Sequence, residues 1–137
     1  MLQERCNMDD IKVNLLVANE ISFNNEIKRH SINDVLNLVE VPYIPCAVKT
    51  HVLVKILFPK RDFQEEGYMD IVAPDGLMEL NTPIMKIMNF RPHPANPGMD
   101  ASLQINFAVV EEGTYKYRFY VRHQLVAEYP LQVLLKK

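Results

Sequence analysis

Hydrophobic and polar residues alternate with a period of two along most of this chain, which is the spacing of β-strands. The pattern is clearest over residues 47–58, which we predict to be a central strand. Its five alternate residues on one face are all β-branched: Val48, Thr50, Val52, Val54 and Ile56. Such residues pack well on a pleated surface. Lys49, His51 and Lys55 lie on the opposite face.

Turn-forming residues separate the alternating segments. Seven of the nine prolines lie in the gaps between them, and each of the four glycines lies at the edge of one. Proline cannot donate to a β-ladder, so strands are expected to end where prolines begin. Asp75-Gly76 predicts a tight hairpin turn. Further strands are predicted over residues 11–18, 26–31, 68–73, 77–80, 103–109, 115–121 and 125–134.

Several segments leave their structure open. Residues 35–41 fit a strand, but Ser31 to Asp34 could cap a single helical turn that begins at Val35. Residues 81–88 fit a strand, although Ile84, Ile87 and Met88 have helical spacing. Residues 59–67 and the proline-rich residues 89–100 are predicted to be loops. Pro130 suggests an edge position or a bulge in the last strand.

The count is eight or nine short strands with no helix longer than a turn, within the range of immunoglobulin-like sandwiches. A single sheet would leave one apolar face in water, so two sheets must pack together. We therefore predict an all-β fold: one antiparallel β-sandwich, immunoglobulin-like in the loose sense, with seven to nine strands. Residues 1–10 would form an N-terminal arm and residues 11–137 the domain.

Three turn signatures carry a resemblance to known proteins. They are Val41-Pro42-Tyr43-Ile44-Pro45, Pro74-Asp75-Gly76 and Gly113-Thr114-Tyr115. The last opens a hairpin similar to the closing hairpin of immunoglobulin-like and prealbumin-like sandwiches. In this order the three resemble a family of small bacterial β-sandwich proteins of unknown function, over residues 11–134. Asn24-Asn25 replaces that family's glycine-rich turn, which asparagine can also form. The resemblance implies no catalytic residues.

Composition narrows the choice of partners and compartment. The chain has 137 residues, 15 basic and 17 acidic, with a net charge of −2. A general nucleic-acid binder needs a strong basic field, so the near-neutral charge argues against this class of protein. The N-terminal residues include acids and no apolar core of a signal peptide, and no apolar run is long enough to span a membrane. We expect a cytoplasmic bacterial protein in which Cys6 and Cys46 are free thiols.

The sequence offers little for catalysis. No phosphate-binding, zinc-binding or nucleophile motif occurs, and the four histidines are widely separated in the chain. We therefore expect no cofactor, no metal and no enzymatic activity. Cys46 is expected to be a small core residue rather than a nucleophile.

Two groups of residues are candidates for binding a partner. The first is a basic stripe along one predicted strand, formed by Lys116, Arg118, Tyr120 and Arg122. It could bind an acidic ligand or stack a base, or its cations could simply pair with acids such as Glu128 on the next strand. The second is the proline-stiffened loop with Phe90, Arg91 and His93, which could bind a partner or merely connect the sheets.

Three functions are then possible. The first is a non-enzymatic module that binds a protein partner through end loops or an edge strand. The second is a structural protein that assembles with copies of itself through edge strands, as in a virion or particle. The third is a small-molecule enzyme with its site at the mouth of the sandwich.

Overall fold

The computed structural model describes residues 10–137. Residues 1–9 of the predicted arm, including Cys6, lie outside the described residues. The described residues form ten strands and no α-helix. The strands are β1 (Lys12–Asn24), β2 (Arg29–Val35), β3 (Leu38–Val41), β4 (Cys46–Leu57), β5 (Gln64–Val72), β6 (Met78–Asn81), β7 (Met85–Met88), β8 (Gly98–Val109), β9 (Gly113–Val121) and β10 (Gln124–Leu135).

The strands form two sheets. One has the order β2-β1-β4-β8, and the other has the order β3-β10-β9-β5-β6, with β7 also paired to β5. The predicted all-β sandwich is confirmed. It differs from the prediction in two details: there are ten strands, and β3 pairs with β10 in parallel whereas all other pairs are antiparallel.

The core lies between the two sheets and follows the alternation in the sequence. The predicted inner face of β4 is buried, from Val48 to Ile56. From the other sheet, β9 contributes three aromatic side chains that are almost completely buried, Tyr115, Tyr117 and Phe119, together with the smaller Val121. Burying aromatic rings of this size contributes much of the hydrophobic free energy of a small sandwich.

The ambiguous segment 35–41 is neither one strand nor a helical turn. It crosses from one sheet to the other: β2 ends at Val35, and β3 begins at Leu38. The crossing is fixed by Leu36, whose N–H donates to the Val17 carbonyl at 2.8 Å. The Tyr129 hydroxyl donates to the Leu36 carbonyl at 2.5 Å. Both this segment and segment 81–88 contain a strand, which explains the count of ten.

Strand boundaries were less predictable. β1 continues to Asn24 rather than ending at Ala18, because residues beyond Ala18 pair with β2. That hairpin buries a second, smaller apolar cluster, in which Ile21 and Ile32 pack with Ala18 and Leu53. β5 begins at Gln64, within the predicted loop 59–67, and β8 begins at Gly98, within the predicted loop 89–100.

The strand order is that of an immunoglobulin sandwich with one strand missing. In that fold, one sheet has the order A-B-E-D and the other contains C, F and G. Here β1, β4 and β8 correspond to A, B and E, and β5, β9 and β10 correspond to C, F and G. The strands between C and E, β6 and β7, both pair with β5. The position of strand D, beside β8, is therefore left without a strand among the described residues.

The start of β9 contains a tyrosine corner, a feature of immunoglobulin-like sandwiches in which a strand F tyrosine bonds back to the preceding turn. The Tyr115 hydroxyl donates to the Glu111 carbonyl at 2.9 Å and accepts from the Val110 N–H at 3.2 Å. In antibody domains the residue two positions later is the cysteine of the disulfide between sheets. Here that residue is Tyr117.

Candidate interaction surfaces

The predicted basic stripe lies on the outer face of the six-stranded sheet, and each of its cations is paired with a carboxylate. Lys116 Nζ lies 3.8 Å from Glu128 on β10. Arg118 makes two hydrogen bonds of 2.8 Å to Asp70 on β5. Arg122 Nε donates to Glu65 at 2.8 Å. The cations of the stripe therefore pair with acids across strands, as in the second interpretation of the sequence. This pairing removes the net positive charge that would attract an acidic ligand.

The Arg118–Asp70 pair is the most buried of the three. Asp70 is only 2% exposed. A planar guanidinium that donates two parallel hydrogen bonds to a carboxylate forms a strong, oriented pair. These hydrogen bonds raise the pKa of Arg118 above its ordinary value. The pair thus forms a structural bridge between β5 and β9.

Tyr120 belongs to a row of aromatic side chains on the same face. Its ring stacks on Tyr68 of β5, with centroids 4.9 Å apart and planes 13° apart. The Arg118 guanidinium lies 5.6 Å from the centre of the Tyr120 ring, and His123 lies 6.1 Å from Tyr68. Because the two tyrosine rings cover each other, each has at most one open face on which a base could stack.

A cleft of about 660 Å³ lies beside this row. It is lined by Gln64, Glu65, Glu66, Tyr68, Ile84, Lys86, Arg122 and His123. Two carboxylates and two cations give these side chains no net charge. The cleft therefore selects neither an anion nor a cation on charge alone.

Arg91 of the proline-rich loop points back into the protein. Its guanidinium donates to both oxygens of Asp100 on β8, at 3.1 and 3.0 Å, and Lys55 donates to the same carboxylate at 3.1 Å. Its side chain is only 16% exposed. Gly98 permits this packing, since a Cβ there would lie 2.3 Å from the Ile56 carbonyl oxygen and 2.8 Å from the Arg91 guanidinium carbon. Arg91 therefore anchors the loop.

Phe90 and His93 do not share that role. Both are exposed, Phe90 by 66%. The backbone of Phe90 continues the edge of the four-stranded sheet, because its N–H donates to the Gly98 carbonyl at 3.1 Å. On the same edge, the Gly98 N–H donates to Asn89 Oδ1 at 3.0 Å. The structure thus separates the three predicted loop residues into one anchor and two exposed side chains.

Beyond Gly98, β8 presents an open edge. Gly98 directs both its backbone groups to that edge, and alternate residues of a strand point the same way. The residues whose N–H and C=O groups face outward are therefore Asp100, Ser102, Gln104, Asn106 and Ala108. β8 pairs with β4 in one continuous register of twelve residue pairs without a bulge. We call these five residues the open edge.

Natural sheets protect such edges with charges, prolines, bulges or short strands. Elsewhere among the described residues this is so. β3, β6 and β7 have four residues each, and β10 has a register shift near Leu125 and a proline at Pro130. β2 carries Arg29 and Asp34, and Asp34 has φ of +56°. In contrast, the one charge on β8 is Asp100, which is bonded to Arg91 and Lys55.

The other candidate chemistry remains dispersed. Residues 10–137 contain no group of three or more histidine, cysteine or acidic side chains that could hold a metal ion. Cys46 is a free thiol that is half-buried at the rim of the core, and its Sγ contacts the Ala47 carbonyl at 3.4 Å. Among the described residues no helix is long and apolar enough to cross a membrane.

Comparisons with known proteins bear on the fold alone. No family model matches the chain, and no curated protein matches it. The solved structures that match include the following two. A β-glucosidase 3B from Thermotoga neapolitana in complex with glucose matches with 14% identity and a TM-score of 0.41, over 89% of this chain. An immunoglobulin-like protein from Pseudomonas aeruginosa matches with 10% identity and a TM-score of 0.39, over 90% of this chain and 95% of that chain. The chain spans only 16% of the β-glucosidase.

Sequence reasoning missed the open edge, although the signal is present. Residues 101–109 contain neither a charge nor a proline, and this is unusual for a strand at the end of a sheet. The pattern predicted the strand but not its neighbours. Which strand ends a sheet depends on pairing between distant segments, and one sequence does not reveal that pairing.

Proposed function

We propose that this protein is a non-enzymatic interaction module that binds a protein segment by adding a strand to the open edge of β8. The single observation that carries the proposal is that the edge is long, regular and unprotected at the position where an immunoglobulin sheet has its fourth strand. Strand addition is a common mode of peptide recognition, in which backbone hydrogen bonds supply affinity.

The side chains around the open edge support this mode. Ser102, Gln104, Asn106 and Ala108 are exposed, so their backbone groups are accessible. On the core side of the same strand, Leu103 is only half-buried. An added strand could cover the exposed part of Leu103 with an apolar side chain of its own, and this would add hydrophobic free energy to the backbone pairing.

The loop supports the same site. Its anchor, the Arg91–Asp100 pair, holds the loop at one end of the edge, and Phe90 lies exposed beside it. An added strand would therefore meet a fixed apolar side chain where the pairing ends. This gives the predicted loop residue Phe90 a role that the paired residues Arg118 and Arg122 do not have.

A random peptide library displayed on phage tests the proposal with the full chain as bait, at a concentration at which light scattering shows a single copy. We expect the selected peptides to protect the amides of Ser102, Gln104 and Asn106 in hydrogen–deuterium exchange. Gln104→Pro removes one outward N–H without removing a bond to β4, so binding should fall at least tenfold. Gln104→Ala removes the same side chain but keeps the N–H, and should bind as the natural protein does. Peptides that protect the cleft at Tyr68 and His123 instead would refute the proposal.

A further inference from the structure

We infer that the strand added to β8 is β8 of a second copy, so that two chains form a symmetric dimer with one continuous eight-stranded sheet. The inference rests on the proposed function, since it names the occupant of the same edge. The order of the residues on that edge suits pairing of the edge with a second copy of itself.

The available hydrogen-bonding groups select one register. Two identical strands related by a two-fold axis must pair antiparallel. Gly98 is already bonded to Asn89 and Phe90, so the usable residues run from Asp100 to Ala108. Only a pairing centred on Gln104 uses all five of them. It places Asp100 opposite Ala108, Ser102 opposite Asn106, and Gln104 opposite its own copy, with two hydrogen bonds in each pair.

This register brings together side chains that are compatible. On the outer face it joins small and amide side chains, which can hydrogen-bond across the strands. On the core side it places Leu103 opposite Ile105, so the apolar interiors of the two sandwiches become continuous. No two like charges oppose each other, because Asp100 faces an alanine. Charge repulsion, the usual protection of an edge strand, is therefore absent from this pairing.

The ends of the paired segment meet exposed apolar residues. Phe90 is hydrogen-bonded at Gly98, just beyond one end, and Val110 follows β8 at the other end. Because Phe90 already occupies the edge position opposite Gly98, pairing in the register centred on Gln104 stops at Asp100, and the second copy's β8 ends one residue later, at Val109. Phe90 therefore meets Val110, the next residue of the second copy, at this end. These residues are 66% and 49% exposed in a single chain, and each would cover the other.

The two-fold axis at Gln104 gives a decisive test. The natural chain should have twice its mass of 15.9 kDa in light scattering coupled to size exclusion. Gln104→Lys places two ammonium groups opposite each other at the axis, and Gln104→Glu does the same with two carboxylates. Each variant alone should dissociate at least tenfold more readily. An equimolar mixture should recover the double mass, because lysine then opposes glutamate.

A matched control separates this effect from general surface charge. Ser31→Lys places the same charge on β2, the exposed edge strand at the other end of the same sheet, and should remain dimeric. A natural chain that is monomeric up to millimolar concentration would overturn the inference. A dimer that survives Gln104→Lys, or a mixture that stays monomeric, would overturn it as well. Peptides that still bind the open edge of a monomeric chain would leave the proposed function standing while this inference fails.

Discussion

The hydroxyl groups of Thr50 and Tyr117 lie 2.8 Å apart in the interior of the sandwich, where they join β4 to β9. Both residues are completely buried. Because Tyr117 follows the corner residue Tyr115 by two positions, this hydrogen bond connects the two sheets at the place where antibody domains have their disulfide. The nearby tryptophan of those domains is also absent, and β5 faces the core with Met69 and Ile71.

The geometry around Thr50 predicts an unequal effect of removing either hydroxyl. Thr50 Oγ1 also donates to the Ile105 carbonyl at 3.4 Å, which leaves Tyr117 as the donor to Thr50. Tyr117→Phe leaves the Thr50 proton satisfied and should lower the free energy of unfolding by about 1 kcal/mol. Thr50→Val leaves the buried Tyr117 hydroxyl without a hydrogen-bond acceptor and should lower the free energy of unfolding by about 1–3 kcal/mol.

Urea unfolding of both variants and of the double variant measures this difference. The double variant should be no less stable than Thr50→Val alone, because it no longer has the unpaired Tyr117 hydroxyl. Equal losses for the two single variants would show that the hydrogen bond has the opposite direction or little importance.

The Tyr115 corner should stabilise the turn before β9. Tyr115→Phe keeps the buried ring but removes a donor to Glu111 and an acceptor for Val110. We expect a loss of about 1–2 kcal/mol in the free energy of unfolding, because two neutral hydrogen bonds are removed at once. Amide exchange at Val110 should increase more than exchange in β4. An unchanged exchange rate at Val110 would contradict the assigned role.

The sequence predicted the layers of this sandwich better than its pairings. Period-two alternation identified the buried faces of β4 and β9, because burial of every second residue depends only on local pleating. It did not predict where residues 35–41 change sheet, since that crossing depends on distant partners, Val17 and Tyr129.

The candidate site was harder still. The sequence predicts Arg118 to be an exposed cation, because its partner Asp70 lies on β5, 48 positions earlier in the chain. The sequence similarly offers Arg91 as a candidate for partner binding, whereas in the structure Arg91 pairs with Asp100 on β8. In both cases the sequence predicted the position of the cation on its element, and the structure supplied the partner that changes its role.

Two ion pairs on the outer face of the six-stranded sheet should differ greatly in their effect on stability. Arg118→Ala leaves the Asp70 carboxylate without its guanidinium, in a site where the aspartate side chain is 3% exposed, and should cost about 3–5 kcal/mol. Glu128→Ala breaks the solvent-exposed pair with Lys116 and should cost about 0–1 kcal/mol. Thermal unfolding of the two variants side by side measures the contrast. Equal effects would mean that burial does not distinguish these pairs.

Acid should release the proline-rich loop from β8. Burial alone would raise the pKa of Asp100, but the hydrogen bonds from Arg91 and Lys55 outweigh burial and hold this pKa below its ordinary value of 3.8. A carboxyl whose pKa is lowered by folding contributes stability that is complete above the unfolded pKa and disappears as pH falls through the folded pKa. The loop should therefore stay anchored at pH 5 and loosen below about pH 4.

Amide exchange at Arg91 and Gly98 as a function of pH, corrected for intrinsic rates, measures this loosening of the loop. Asp100→Asn should loosen the loop at pH 7 and abolish the transition, whereas Asp62→Asn, in an exposed pair with Lys60, should leave it unchanged. If Asp100→Asn left the loop as protected at pH 7 as it is in the natural chain, Asp100 would not be its anchor.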